Sequence, residues 1–155
     1  MAGRNGISRV VMIYRPENLR SAVTEFTRAL DIADFEGPYD LEEMGVQVVI
    51  SWTAGIELIA PMQSGTHSAA MWDVLKQRGE GMFNLVYRVR NLQKAEAHAA
   101  AHGYPRRGEQ INALDVEQSW RDRFRLLKEA ALENIAGTAV TLIQIEPTRR
   151  EAAHL

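Results

Sequence analysis

LKQRGEGMFNLVYRVRNLQKAEAHAAAHG, residues 75–103, is the stretch from which the rest of the chain can be read. A glycine turn, Gly79-Glu80-Gly81, opens it, and Met82–Val89 follows as a predicted strand. Side chains alternate along a strand, so Leu85, Tyr87 and Val89 share one face and Asn84, Val86 and Arg88 the other. Arg90-Asn91 closes the strand. Asn91 suits an N-cap, because its side-chain oxygen can accept from a free amide of the first helical turn. Leu92, Ala95, Ala99 and His102 then recur at helical spacing, and Gly103 stops the helix.

Working outward, the same grammar occurs near the start of the chain. Ile7–Tyr14 (ISRVVMIY) reads as a strand that is apolar on both faces, which predicts a central position covered on both sides. Asn18 is the expected N-cap of a helix whose Leu19, Val23, Phe26 and Leu30 form an apolar stripe. Gly37-Pro38 restricts any strand over 33–40 to a short or edge position. Glu42-Glu43 marks a turn. Gly45–Trp52 and Gly55–Ala60 are strong strands joined at Thr53-Ala54. After a loop from Pro61 to Thr66, Ser68–Arg78 is predicted helical. Beyond Gly103, strands are expected over Arg106–Leu114, Trp120–Leu127 and Thr138–Glu146, with Lys128–Ala136 as a short helix or a long turn.

An internal repeat emerges. A strand, a helix opening on Asn-Leu and three strands occur over 6–61 and again over 81–147, with Asn18-Leu19 matching Asn91-Leu92 and GIELIAP loosely matching TLIQIEP. The expected architecture is α+β: two βαβββ modules forming a curled mixed sheet around one cleft. The boundaries read as 6–62 for the first module, 63–80 for a helical linker, 81–147 for the second module and 148–155 for a polar tail, after a loose start at residues 1–5.

Composition narrows the function classes. The chain has 155 residues, 46% hydrophobic and 25% charged, with a formal net charge of −2, so neither nucleic acid nor an anionic membrane is an expected partner. Absence of cysteine excludes disulfides, thiolate ligands and a cysteine nucleophile. No apolar run reaches the ~18 residues of a membrane span. The opening MAGRNG lacks the apolar core of a signal peptide, so a cytoplasmic location is expected.

The segments GIELIAP, SAAMWDVLKQRGEG, MFNLVYRV and NLQKAEAHAAAHGYP resemble the vicinal oxygen chelate superfamily, which includes glyoxalases, bleomycin-resistance proteins and extradiol dioxygenases, and within it they are most similar to the methylmalonyl-CoA epimerases. The resemblance implies paired βαβββ modules whose cleft holds a divalent metal on four side chains, usually His or Gln, Glu or Gln, His, and Glu. Carried over, these positions fall on Arg9 (or Val11, given a two-residue length difference), Glu57, Asn84 and Thr141. Only Glu57 is a strong ligand. Arg9 is a cation with no lone pair to offer. Asn84 and Thr141 are weak neutral oxygen donors, and one carboxylate supplies little charge for calcium. The expectation is a metal-independent protein with no cofactor.

The residues suggest chemistry of their own. Ile56 and Leu58 face the core, so Glu57 should face the cleft, either as a general base or as half of a structural pair with an arginine. Arg9 and Arg88 are candidates for holding a carboxylate, phosphate or enolate oxygen in place of a metal. Asn84 could donate its amide to a substrate carbonyl. Thr141 and Gln144 could bond a ligand, but they lie on opposite faces and only one can point inward. Trp52 and Tyr39 are candidate wall residues or core. His98 and His102 have helical i, i+4 spacing on an outer helix with no third ligand, His67 falls in the linker and His154 in the tail. Arg121, Arg123 and Arg125 read as a solvated strand face.

Two functional readings follow. One is an enzyme performing proton transfer, of isomerase, epimerase or lyase type, on a small carbonyl or carboxylate compound, a CoA thioester among the candidates; Glu57 is its base, Arg9 and Asn84 stabilise the oxyanion, and Arg88, Thr141 and Trp52 bind substrate. The other is a non-catalytic binding protein for a small drug or metabolite. A homodimer is expected from the resemblance alone.

Overall fold

The computed structural model describes residues 5–153. In chain order its elements are β1 (Gly6–Ile13), α1 (Pro16–Leu30), β2 (Glu36–Leu41), β3 (Val46–Ser51), β4 (Ile56–Pro61), α2 (Ser68–Arg78), β5 (Gly81–Arg88), α3 (Leu92–Ala101), β6 (Ile111–Asn112), α4 (Ala113–Val116), β7 (Phe124–Ala131), β8 (Ala139–Pro147) and α5 (Arg149–Ala152). The fold is α+β with mixed pairing, as the repeat implies. By contacts the chain divides into two compact units: Arg9–Phe83, and a second unit comprising 5–8 and 84–153 of the described residues.

In the first unit the strand order is β2-β3-β4-β1. β1 lies parallel to β4, with Val11 opposite Glu57, while β2, β3 and β4 pair antiparallel. β2 takes the edge, and its ladder slips between Glu36 and Tyr39, where Gly37-Pro38 interrupts it. This is the edge position that a proline without an amide hydrogen demands. Leu19 and Ala22 of α1 pack on Val49, Leu58 and Ala60, and Met12, Tyr14, Val23, Phe26, Phe35 and Ile56 complete that layer. Burying a leucine such as Leu58 stabilises the fold by roughly 1.5–3 kcal/mol before entropy is counted. Val11 and Ile13 are buried on the opposite face of β1 from α1, so the second half of the strand has the central position that its apolar sequence predicts, whereas Ile7 near its start is exposed.

The second unit repeats the plan with the order β5-β8-β7-β6. β5 and β8 are parallel; β7 is antiparallel to β8 and to the two-residue β6. Leu92 of α3 joins Val89, Ala130, Leu132 and Leu142 in the core beneath the helix. Asn91 caps α3 by accepting from the Lys94 amide at 2.8 Å.

Four local expectations are corrected. Arg15, not Asn18, stands at the start of α1. The helix begins at Pro16, whose fixed φ and missing amide hydrogen suit a first turn, and Asn18 instead donates to Glu80 at 3.0 Å. The strand expected over Arg106–Leu114 shrinks to β6 and a single bridge from Arg106 to Leu132. Residues Gln118–Asp122 form a 3-10 turn, so the strand starts at Phe124 rather than Trp120. That strand then runs through Ala131, a stretch expected to be helix or turn: Leu127 and Ala130 are drawn into the core, and burial overrides the helical preference of Lys-Glu-Ala-Ala. The tail carries the short helix α5.

The loops of the first unit converge on two glycines. A Cβ on Gly45 (φ +65°) would lie 2.4 Å from the Ser68 amide nitrogen, and one on Gly65 would lie 2.4 Å from the Glu42 carbonyl oxygen. Gly79 also has positive φ, but a Cβ there would meet nothing within 4 Å. In urea melts Gly79→Ala is therefore expected to cost about 1–3 kcal/mol from backbone strain alone. Gly45→Ala should cost ~2 kcal/mol more, because backbone must move as well.

Candidate functional site

Register places the central feature. In the first unit, alternation turns Ile56 and Leu58 toward α1 and Glu57 to the opposite face, where Arg9, Val11 and Ile13 of β1 also point. Arg9 sits two residues before Val11 and reaches along the sheet, its Nε–H donating to Glu57 Oε2. The side chains are only 7% and 13% exposed, so this is a desolvated ion pair. The Arg9 guanidinium lies 5.4 Å from the Trp52 ring centroid, in cation–π range. Trp52 is held from behind: its indole N–H donates to Glu36 Oε1 at 2.7 Å. Beside it, Ser51, fully buried, donates to Asp34 at 2.6 Å and accepts from the Ala54 amide at 3.0 Å, which fixes the β3–β4 turn. Glu36 and Asp34 were not singled out in the sequence, although a half-buried tryptophan calls for an acceptor.

In the second unit the same alternation applies. Asn84, Val86 and Arg88 share one face of β5, and Thr141 of β8 lies opposite Val86. Asn84 Nδ2 donates to Thr141 Oγ1 at 2.9 Å. Asn84 Oδ1 is buried with no hydrogen-bond partner among the described residues. The amide thus spends a donor within the protein and keeps its acceptor, which corrects the donor's task expected from the sequence. Arg88 ends β5 opposite Ile143, and its side chain makes no hydrogen bond or ion pair among the described residues. Gln144 lies on the helix side, where its Oε1 accepts from the Leu92 amide at 2.9 Å. Of the pair Thr141 and Gln144, then, the glutamine is the structural one.

The expected metal positions do not fit a dication. Val11, directly opposite Glu57, has no donor atom, and Arg9 covers the carboxylate with its own positive charge. Asn84 and Thr141 bond each other. Among the described residues, no three His, Asp or Glu side chains gather to hold a metal. His98 and His102, exposed at the C-terminal end of α3, have ring centroids 4.4 Å apart with the planes tilted by 35°, and His102 Nδ1 lies against the His98 carbonyl oxygen. Arg121 pairs with Asp115 and Arg123 with Glu151, so these arginines are occupied on the surface. His154 lies outside the described residues.

Tyr14, just past the end of β1 and packed against the layer under α1, has its hydroxyl pKa raised above the usual 10, first by burial and then by the Glu80 and Glu25 carboxylates. The neutral phenol's contribution to stability is fully present below pH 10 and is lost as pH rises from there through the higher folded-state value. Tyr14→Phe should flatten that alkaline fall in a plot of unfolding free energy against pH.

No family model matches the chain, and no curated protein matches it. Solved structures do. A hypothetical protein from Bacillus halodurans C-125 superposes with a TM-score of 0.70 at 15% identity, covering 92% of this chain and 95% of its own. Methylmalonyl-CoA epimerase from Mycobacterium tuberculosis gives 0.64 at 16% identity, with 96% and 91% covered. The Streptomyces coelicolor methylmalonyl-CoA epimerase in complex with 2-nitronate-propionyl-CoA gives 0.61 at 15% identity, with 90% and 96% covered.

The ion pair yields a prediction. Breaking a buried pair leaves a charge in low dielectric, so Arg9→Met should cost about 3–5 kcal/mol in chemical denaturation. The double variant Arg9→Met/Glu57→Leu should be more stable than Arg9→Met, and the double-mutant cycle should read out a coupling of about 1–3 kcal/mol. The chain has the fold of these solved structures, an α+β arrangement of two βαβββ modules.

Proposed function

We propose that the protein is a metal-independent enzyme of this fold that moves a proton on a small carbonyl or carboxylate compound, with an acidic acyl-CoA thioester as the leading substrate class. The observation that carries this reading is the desolvated Glu57 carboxylate with a guanidinium against it. Glu57 takes a proton from the carbon next to the carbonyl, and the electron pair moves onto the carbonyl oxygen. Arg9 supplies the positive charge that this enolate oxygen needs, the task that a metal performs elsewhere. Returning the proton to the other face gives an epimer; returning it to a different atom gives an isomer. Arg88, with no ion pair among the described residues, is proposed to hold an anionic substrate group, and Asn84 and Thr141 to contribute hydrogen bonds. The fold shared with methylmalonyl-CoA epimerases supports the reaction class. The proposal includes a cytoplasmic homodimer.

A second reading, a binding protein without catalysis, is favoured by the same pair seen differently. Arg9 already engages Glu57 and is itself stacked on Trp52, a built-in arrangement that needs no reaction to explain it.

Solvent exchange separates the two. In D2O, wild-type protein incubated with methylmalonyl-CoA is expected to catalyse deuterium incorporation at the α-carbon, read by mass spectrometry and unaffected by EDTA. Glu57→Gln should lower that rate at least ~100-fold, in the range of a lost general base, while calorimetric affinity stays within a few fold. Binding without exchange in the wild type would establish the second reading instead.

A further inference from the structure

On the opposite face of the β5–β8 sheet from Asn84 and Thr141, under α3, lies an open groove of about 780 Å³. Its floor is apolar: Val89, Leu132 and Leu142, with Tyr87 and Ile135 only partly buried beside them. The helix wall is formed by Ala95 and Ala99. Its rim is of one sign. Arg90 and Lys94 border it, with His98 a turn further along the helix, and among the described residues none that lines it is acidic. Lys94 makes no ion pair among the described residues, and its exposed ammonium is available to a ligand.

The internal repeat explains why this space is open. In register with Leu19, Ala22 and Phe26 of α1 stand Leu92, Ala95 and Ala99 of α3. Phe26 packs into the layer beneath its helix, together with Phe35. At the equivalent point α3 has only the methyl group of Ala99. A phenylalanine buries on the order of 150–250 Å², so replacing it with alanine leaves a trough of side-chain dimensions along the sheet.

We propose that this groove is a second binding site, for an amphiphilic monoanion: a linear acyl or aryl chain bearing one carboxylate. The chain lies along Val89, Leu132 and Leu142 beneath Ala99, and the carboxylate meets Lys94 and Arg90 at the rim. An apolar trough alone would accept any greasy molecule. The uniformly cationic rim selects the anion, although the protein as a whole carries a net charge of −2. The site is independent of Glu57 and Arg9, and it stands whether or not those residues are catalytic.

Amide NMR of the full chain with sodium decanoate tests it, below the micelle concentration. Saturable shifts at Ala95, Ala99 and Leu142 are expected, with none from decyltrimethylammonium at equal concentration. Ala99→Phe, which restores the aromatic of the first repeat, should weaken decanoate binding at least ten-fold. Lys94→Glu should weaken it several-fold, with the wild-type spectrum otherwise retained. If Ala99→Phe disturbs the fold, Ala99→Leu fills the same trough with less bulk and is expected to act in the same direction. Absence of saturable shifts, equal response to the ammonium amphiphile, or binding indifferent to a folded groove-filling variant would overturn the proposal.

Discussion

Parallel pairing of the first and last strands of each repeat is the constraint on which the rest depends. β1 lies beside β4 and β5 beside β8, each pair bridged by a crossover that includes a helix on one face. The helix claims every second side chain for its core. The remaining side chains of two parallel neighbours are then forced side by side on the other face. Glu57 meets Arg9 for this reason, and Asn84 meets Thr141 for the same reason. Neither pair is close in sequence; both are consequences of a two-residue pleat and a fixed register.

A charge pair at such a position has thermodynamic consequences. Taking both groups out of water costs several kcal/mol per ion, which their mutual attraction offsets only with good geometry and further hydrogen bonds. The stacking of Trp52 on Arg9, with its indole anchored to Glu36, supplies part of that support. A divalent ion approaching Glu57 would have to displace a guanidinium already seated there, and would find the aliphatic Val11 across the ladder. The groups beside Glu57 thus offer a dication little, and the proposed role of Arg9 as electrophile rests on the positive charge that stands there instead.

Much of the fold was legible because strong periodic signals coincide with turn chemistry. The Gly79–Gly103 stretch, the N-cap at Asn91, the edge position imposed by Gly37-Pro38 and the α2 helix all appear where local rules put them. Legibility failed where tertiary burial overruled local preference. Lys128–Ala131 has a helical composition but lies in β7, because Leu127 and Ala130 face the core. Asn18 has the chemistry of a cap, but Pro16 starts the helix and Asn18 is diverted to Glu80. For the candidate site, alternation alone identified the face of Glu57 and separated Thr141 from Gln144. That Arg9 should be its direct partner needed the register, since Val11 is the residue opposite. The supporting acidic residues Asp34 and Glu36 sit before and at the start of an irregular edge strand, where no periodicity marks them.

The two repeats also show how one sheet can serve different ends on its two faces. Mutations beneath the helix change packing volume and leave the strand register intact, so the side chains on the opposite face keep their neighbours. In the first unit that layer is filled with aromatic bulk from Phe26 and Phe35. In the second, an alanine-rich helix leaves Leu142 and Val89 lining an open groove, while Asn84 and Thr141 on the other side remain bonded. The stability lost by leaving that layer open is limited, because Leu92 at the start of α3 is fully buried and Gln144 and Asn91 satisfy its first-turn amides. Anchoring the helix at its N-terminal end is what lets the rest of its underside remain unfilled.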